Sequence, residues 1–240
     1  MIKFCNIEKS FNKLKVLKNI SLSIDEPGIV SVLGPNGSGK TTLIKSFLGM
    51  VIPDGGKIYY HNTELSREWN YRKSISYLPQ IAQFPENIRV KELFELVKDI
   101  RKQDSREEML IDIFNLDKEL NKKFGYLSGG TKQKVNLTLA FMFDTPVIIL
   151  DEPSNGLDPM ALVSLKELIE CERDRGKLIL LTTHIMNMVE DLSERIVYML
   201  EGNIIFDGTL EELKTSQNES IIEKAFANLT RQHNVENIKV

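Results

Sequence analysis

The stretch Ile29-Val30-Ser31-Val32-Leu33-Gly34-Pro35-Asn36-Gly37-Ser38-Gly39-Lys40-Thr41-Thr42 decides the fold. Its first five residues are an apolar, strand-like run, and Gly34 to Thr41 match G-x-x-x-x-G-K-[ST] in full. Apolar residues then recur at helical spacing (Leu43, Phe47, Leu48) across Thr41 to Leu48. Strand, glycine loop and helix, in that order, are the context a phosphate-binding loop requires. The glycines let successive backbone N–H groups turn inward on phosphate oxygens, and the helix adds the positive end of its dipole. In such a loop Lys40 pairs with the β- and γ-phosphates of a nucleotide, and the Thr41 hydroxyl ligates Mg²⁺. The plainer alternative, a glycine-rich turn with a solvent-facing lysine, gives no reason for the strand before it and the helix after it.

Two further runs carry chemistry. Val147-Ile148-Ile149-Leu150 is an apolar strand that ends in Asp151-Glu152. A buried strand of this kind delivers Asp151 to a Mg²⁺ shell, while Glu152 orients and deprotonates an attacking water. An acidic pair opening a loop is common in isolation; downstream of a phosphate loop it completes a hydrolytic set. Between the two lies Leu127-Ser128-Gly129-Gly130-Thr131, a serine and two glycines at a helix start. Its unpaired N–H groups aim outward and make little sense inside a single nucleotide site, although an ordinary helix cap has the same residues.

The bounds are those of a soluble globular protein. A chain of 240 residues and 27.5 kDa holds one large α/β domain, or that domain with a small subdomain. Hydrophobic residues at 42% and charged residues at 27% are ordinary values. A net charge of −3 and a pI near 5.8 give no electrostatic footprint for nucleic acid. Cys5 and Cys171 lack metal-ligand spacing and read as buried or idle thiols in a reducing compartment. No run approaches the roughly 18 apolar residues that span a bilayer, and Met1-Ile2-Lys3-Phe4 does not open a signal peptide. The expectation is a cytosolic chain, held at a membrane only by a partner.

Along the chain, Ile2 to Ile7, Ile20 to Ile24 and Ile29 to Leu33 read as strands, separated by turn residues such as Asn12-Lys13 and Pro27-Gly28. Pro53 to Gly56 is a turn, followed by strand candidates Lys57 to Tyr60 and Ile75 to Leu78. From Asn87 to Lys123 the pattern becomes amphipathic helix, with stripes Val90, Leu93, Phe94, Val97, Ile100 and Met109, Leu110, Ile113, Phe114. The α/β pattern then resumes: helix 130–143, strand 147–151, helix 159–175, strand 178–182, helix 185–193, strands 196–200 and 203–207. Strands alternating with helices predict a largely parallel sheet flanked by helices. A weak stripe (Ile221, Ile222, Phe226, Leu229) predicts a short C-terminal helical appendage over 209–240. Repeats and low-complexity segments are absent from the sequence.

Together these residues resemble the ATPase domain of ATP-binding-cassette (ABC) transporters, through nearly the whole chain. The resemblance implies an α/β phosphate-loop fold of ABC type: a mostly parallel sheet flanked by helices, with an N-terminal antiparallel β-subdomain and an inserted α-helical subdomain. It implies an ATPase domain over 1–208, with 1–80 and 130–208 as catalytic core and 81–129 as the helical subdomain. Gly34, Pro35, Asn36, Gly37, Ser38, Gly39, Lys40, Thr41 and Thr42 would bind ATP. Thr41, Gln80 and Asp151 would hold Mg²⁺, and Glu152, Gln80 and His184 would act in hydrolysis. Leu127 to Thr131 is similar to the family signature, whose Ser128, Gly129 and Gly130 would cap the γ-phosphate held by a second copy of the chain. Asn155-Gly156-Leu157-Asp158 matches the loop that crosses that dimer interface, Asp158 being its last residue. Phe11 sits where the family stacks an aromatic ring on adenine, with core packing as its rival reading.

The sequence departs from the family pattern in three places. The signature ends in Thr131 rather than Gln, the aromatic is Phe11 rather than Tyr, and Ser154-Asn155 replaces smaller residues or Thr. None removes a residue that ATP hydrolysis requires. The resemblance implies an ATP-dependent homodimer serving a separate multi-span permease, peripheral on the inner face of the cell membrane, with no nucleic-acid partner expected. The tail from Gly208-Thr209-Leu210-Glu211-Glu212-Leu213 through Glu223-Lys224-Ala225-Phe226 is similar to those of ATPases paired with ABC-2-type permeases. Within that group Leu127 to Gln133 looks closest to the NosF-like ATPase that matures copper-containing nitrous oxide reductase, with exporters of a drug, lipid or polymer as the alternative. A soluble ABC ATPase acting on ribosomes or nucleic acid is the reading from another class. It is opposed by the single cassette, the compact insertion and the missing basic patch. A phosphate-loop kinase or GTPase is opposed by the signature and His184.

Overall fold

Alternation builds the first sheet. In β1 (Ile2–Phe11) Ile2 and Phe4 are buried, Asn6 takes a left-handed φ of 52°, and the register shifts so that Ile7 is again inward. The computed structural model describes residues 1–65 and 69–238. Two compact units are formed, one of residues 1–71 and 182–240, the other of residues 72–181. Cys5 is half-buried and Cys171 exposed, and both are free thiols.

In chain order the first unit begins with β1, β2 (Leu14–Ile24), β3 (Gly28–Leu33), α1 (Lys40–Phe47), β4 (Gly55–Tyr60) and β5 (Thr63–Glu64). The second unit holds β6 (Ile75–Leu78), α2 (Val90–Arg101), α3 (Glu107–Phe114), α4 (Gly129–Phe141), β7 (Val147–Asp151), α5 (Pro159–Asp174) and β8 (Leu178–Thr182). The chain ends in the first unit with α6 (Met186–Leu192), β9 (Arg195–Leu200), β10 (Asn203–Gly208), α7 (Leu210–Ser216) and α8 (Ile222–Ile238).

The first unit carries an antiparallel sheet of order β2-β1-β4-β5. Phe47 of α1 packs edge-on against Phe4 and Tyr60 beneath it, with ring centroids 6.3 and 5.8 Å apart. In the same unit β3 runs parallel to β9, and β9 antiparallel to β10. All six residues of β3 are buried, as expected for a parallel strand covered on both faces. A cluster of Leu33, Val189, Ile196 and Tyr198 is completed by Leu213, Ile222, Ala225, Phe226 and Leu229. The C-terminal stripe thus joins the core of its unit, and of its four residues only Ile221 is exposed.

In the second unit the strand order is β8-β7-β6, with β6 parallel to β7 and every residue of β7 and β8 buried. The expected amphipathic region yields α2 and α3, whose Val90, Leu93, Phe94, Leu110 and Phe114 are buried. Ile100 and Met109, expected on the same stripes, are exposed. A buried charge knot ties α3 to α5: Glu172, fully buried, meets Arg106 at 2.7 Å and Lys177 at 2.5 Å. Burial alone would raise the Glu172 carboxyl, but hydrogen bonds from Arg106 and Lys177 outweigh it and hold it below its ordinary range.

Candidate active site

The phosphate loop lies between β3 and α1. Gly39 caps α1 with a φ of 106°, and a Cβ there would lie 2.8 Å from the Val16 carbonyl. Gly34, at φ 143°, would bring a Cβ to 2.0 Å from the Met199 carbonyl. Only glycine fits either place. No side chain caps α1, whose N-terminal end carries the positive end of the helix dipole. Ser38 is buried, and its Oγ has no hydrogen-bond partner among the described residues. Its carbonyl accepts from Gly202 N–H at 3.1 Å, which pins the loop to the turn after β9. Lys40 folds back over the loop, its Nζ donating to the carbonyls of Gly34 at 2.7 Å and Pro35 at 3.0 Å. Pro35, Asn36 and Gly37 are exposed, and Thr41 and Thr42 half-buried.

Phe11 stands at the end of β1, 48% exposed, so the core-packing reading fails for it. His184 is exposed in the same unit, between β8 and α6. Beside it the Thr183 hydroxyl accepts from the Ile185 N–H at 3.1 Å.

Gln80, Ser128, Gly129, Gly130, Asp151, Glu152 and Asp158 belong to the second unit. Asp151 ends β7 almost fully buried, and Glu152 follows at φ 54°, a left-handed conformation that a bulky residue rarely adopts. Burial, with the Asp151 charge adding, pushes the Tyr77 phenol well above its ordinary range. Gln80 is exposed two residues beyond β6, next to a cleft of about 240 Å³ lined by Tyr77, Pro79, Ile81, Phe84 and Asn136.

Ser128 caps α4, accepting from Thr131 N–H at 3.2 Å, and the Ser128 and Thr131 hydroxyls lie 2.8 Å apart. The threonine that departs from the family pattern thus locks the cap. Gly129 faces open space, with nothing within 4 Å of a built Cβ, whereas a Cβ on Gly130 would lie 2.6 Å from the Gly156 carbonyl. The structure so brings the signature segment against the loop of residues 155–158. Both oxygens of Asp158 are engaged locally, one by the Ala161 N–H at 2.9 Å and the other by Lys134 at 2.6 Å. Gln133 Nε2 donates to the Pro153 carbonyl at 2.8 Å. Sequence reasoning assigned no role to Gln133 or Lys134; their only signal was position, one turn into the helix that the signature opens.

Among the described residues no group of three or more His, Cys, Asp or Glu side chains could hold a metal ion. Thr41, in the first unit, and Gln80 and Asp151, in the second, each carry an oxygen of the hard kind that Mg²⁺ takes. The cradle that a Cβ would fill and the orphaned Ser38 Oγ fit a phosphate chain. No described helix is long and apolar enough to cross a membrane.

Comparison with known proteins agrees with this geometry. The family described as "ABC transporter" matches residues 17–155. A lantibiotic transport ATP-binding protein of Streptococcus pyogenes is 31% identical over 230 residues, covering 90% of this chain and 97% of that protein. A lipopolysaccharide export system ATP-binding protein of Haemophilus influenzae is 34% identical over 221 residues, covering 88% and 92%. Among solved structures, a dimeric ATP-binding cassette in a post-hydrolysis state bound to ADP and Pi superposes with a TM-score of 0.78. It shares 27% identity and covers 88% of this chain and 99% of its own.

Proposed function

The chain belongs to the ABC transporter family, and from that premise we propose that it is the ATP-hydrolysing subunit of an exporter-type system, powering a separate membrane permease. The observation that carries the reading is the phosphate loop. Its glycine cradle, uncapped helix start and orphaned Ser38 hydroxyl are a built receptor for phosphate. Gly34 to Thr42 bind the phosphates, and Lys40 exchanges the Gly34 and Pro35 carbonyls for β- and γ-oxygens. Phe11 stacks on adenine. Thr41, Gln80 and Asp151 would hold Mg²⁺, which when bound would neutralise charge on the phosphates. Glu152 takes the proton of the attacking water as its oxygen adds to the γ-phosphorus; the bond to the β-bridging oxygen breaks, leaving ADP and phosphate. His184 contacts the γ-phosphate and Gln80 responds to its loss.

Ser128, Gly129 and Gly130 cap the nucleotide of a second copy, and Asp158 fixes the connecting loop through its cap and its Lys134 pair. ATP then joins two copies, and hydrolysis releases them. Residues 1–208 form the ATPase domain, with 81–129 its helical subdomain and 209–240 its C-terminal helical extension. Exposed Ile81, Ile100 and Tyr126 support the permease as the partner of that subdomain, which would place the protein in the cytoplasm against the membrane. Leu127 to Gln133 supports one finer assignment, the ATPase of copper-enzyme (nitrous oxide reductase) maturation. The lantibiotic transport and lipopolysaccharide export relatives support the rival, an exporter of a drug, lipid or polymer.

The test pairs two variants. Glu152→Gln should slow hydrolysis by about 10²–10⁴-fold and accumulate an ATP-bound dimer, whereas Lys40→Ala should form none. A Glu152→Gln protein that turns over ATP like wild type removes the base. The same variant, tagged and drawn from its native membranes with ATP and Mg²⁺, should bring down a multi-span permease in stoichiometric amount. Recovery of ribosomal proteins or DNA instead would replace the transporter reading.

A further inference from the structure

The surroundings of Phe11 contain a device that the proposed function does not use. Lys9 and Phe11 are two residues apart on β1 and so share a face. The Lys9 ammonium stands 5.5 Å from the centroid of the Phe11 ring, within cation–π range. It is not free to wander: Nζ donates to Asp54 Oδ1 at 2.8 Å, and the Lys9 side chain is only 15% exposed. Asp54 is itself clipped to β1 on both sides. Its Oδ2 accepts from the Ser10 N–H at 2.6 Å, and its own N–H donates to the Glu8 carbonyl at 2.8 Å. The hydrogen bond from Lys9, then that from Ser10, holds the Asp54 carboxyl below its ordinary range, so it stays ionised.

The ring so held lies close to the phosphate loop. Phe11 pairs with Leu14 across the hairpin, and Lys9 and Ser10 pair with Leu17 and Lys15, leaving Val16 as an extra residue in β2. The carbonyl of that bulged Val16 is the group that abuts Gly39 at the start of α1. From Leu14 to Val16 is two strand residues, about 7 Å. A ring at this distance from the loop is within reach of the base of a nucleotide whose phosphates occupy it.

We propose that Lys9 and Asp54 are a positioning pair for the base: Asp54 fixes the Lys9 ammonium over one face of Phe11, and the ring is thereby held for a purine to stack on its other face. The proposal rests on the adenine-stacking reading of Phe11. A half-exposed phenylalanine at a hairpin end otherwise samples several rotamers, and stacking must then order it; a ring already backed by a fixed cation loses less on binding. The bulge and the Asp54 clip serve one end, a fixed ring plane beside the glycine loop.

The experiment compares equilibrium binding of ATP and of inorganic tripolyphosphate, both with Mg²⁺, by titration calorimetry. Lys9→Met keeps the aliphatic stem and removes the charge; it should weaken ATP about 3- to 5-fold and leave tripolyphosphate within about twofold. Asp54→Asn should shift ATP in the same direction by less, and Lys9→Arg, whose guanidinium also stacks on rings, should bind like wild type. Should Lys9→Met fail to fold, Asp54→Asn carries the comparison. Equal weakening of tripolyphosphate would show the lysine acting on phosphates and overturn the pair. So would unchanged ATP binding by Lys9→Met when Phe11→Ala binds ATP weakly. If Phe11→Ala itself binds ATP like wild type, the stacking reading falls and the positioning pair falls with it.

Discussion

Gly129→Ala separates what the signature does inside one chain from what it does for another. A methyl at Gly129 meets nothing within 4 Å, and its backbone is not in the left-handed region. Alanine there restricts the unfolded chain and should raise stability by about 0.4–1 kcal/mol, roughly 1–4 °C in Tm for a chain of this size. In the ATP-joined dimer the same methyl intrudes where the proposed partner nucleotide packs. Overfilling a close contact costs about 1–3 kcal/mol. A two-fold dimer makes the contact twice, so association should weaken by about 2–6 kcal/mol, from some 30-fold to about 10⁴-fold in Kd. The assay is sedimentation velocity with ATP and Mg²⁺ on Glu152→Gln, with and without Gly129→Ala. Gly130→Ala is the control. Its Cβ would sit 2.6 Å from the Gly156 carbonyl, so its defect belongs to the monomer and should appear as a lowered Tm without nucleotide. If Gly129→Ala leaves the dimer as tight as before, the segment is an ordinary helix cap and the shared-site scheme is wrong.

Two further expectations concern the scaffold. Glu172→Gln leaves Lys177 and Arg106 facing a neutral group inside the protein and should destabilise by about 3 kcal/mol, read by urea unfolding at pH 7. Because the folded Glu172 carboxyl is held below its ordinary range, its stabilisation is complete above the unfolded value of about 4.3 and fades as pH falls through the folded value. The gap between wild type and Glu172→Gln should therefore be flat from pH 8 to 6 and close under acid; a gap that widens there contradicts the sign. Phe226→Ala removes a ring stacked 4.7 Å from Tyr198 and should cost about 3–5 kcal/mol. A change below 1 kcal/mol in thermal unfolding would mean that the C-terminal helix is not core.

What was legible in the sequence follows from where the signal lies. The phosphate loop, β7 and α4 were readable because local rules write them: a glycine loop needs its φ angles, a buried strand its apolar run, a helix its period. The helix expected at 130–143 spans Gly129–Phe141, and the strand expected at 147–151 has those ends. Periodicity says which residues share a face, but not what covers the face. Ile100 and Met109 keep the period of α2 and α3 and remain exposed, while Phe226 and Leu229 in a weaker stripe are buried. Pairings across long separations leave no local trace. Asp54 lies 45 residues from Lys9, and Glu172, within the charged run Glu170 to Arg175, reads as a solvated helix end. Asp158 was assigned to the site from its loop, and only the structure shows both its oxygens already engaged.

Glu152 joins these levels in one residue. A left-handed non-glycine costs about 1–2 kcal/mol, and a sequence selected for stability alone would place Gly or Asn there. The strand before it explains how the strain persists: Val147 to Asp151 are wholly buried, so the chain cannot relax backward without exposing apolar surface. Beyond it, the Asn155 N–H donates to the Glu152 carbonyl at 3.3 Å, and Gln133 holds the Pro153 carbonyl at 2.8 Å. Backbone is thus fixed on both sides of a residue whose own conformation is unfavourable. A relaxed, extended Glu152 would continue β7 and send its carboxylate to the face opposite Asp151, because successive strand side chains alternate. The left-handed turn breaks that alternation. In the proposed mechanism a base and a metal ligand are needed at adjacent positions, and the strain is the local consequence of drawing both from consecutive residues of one strand end.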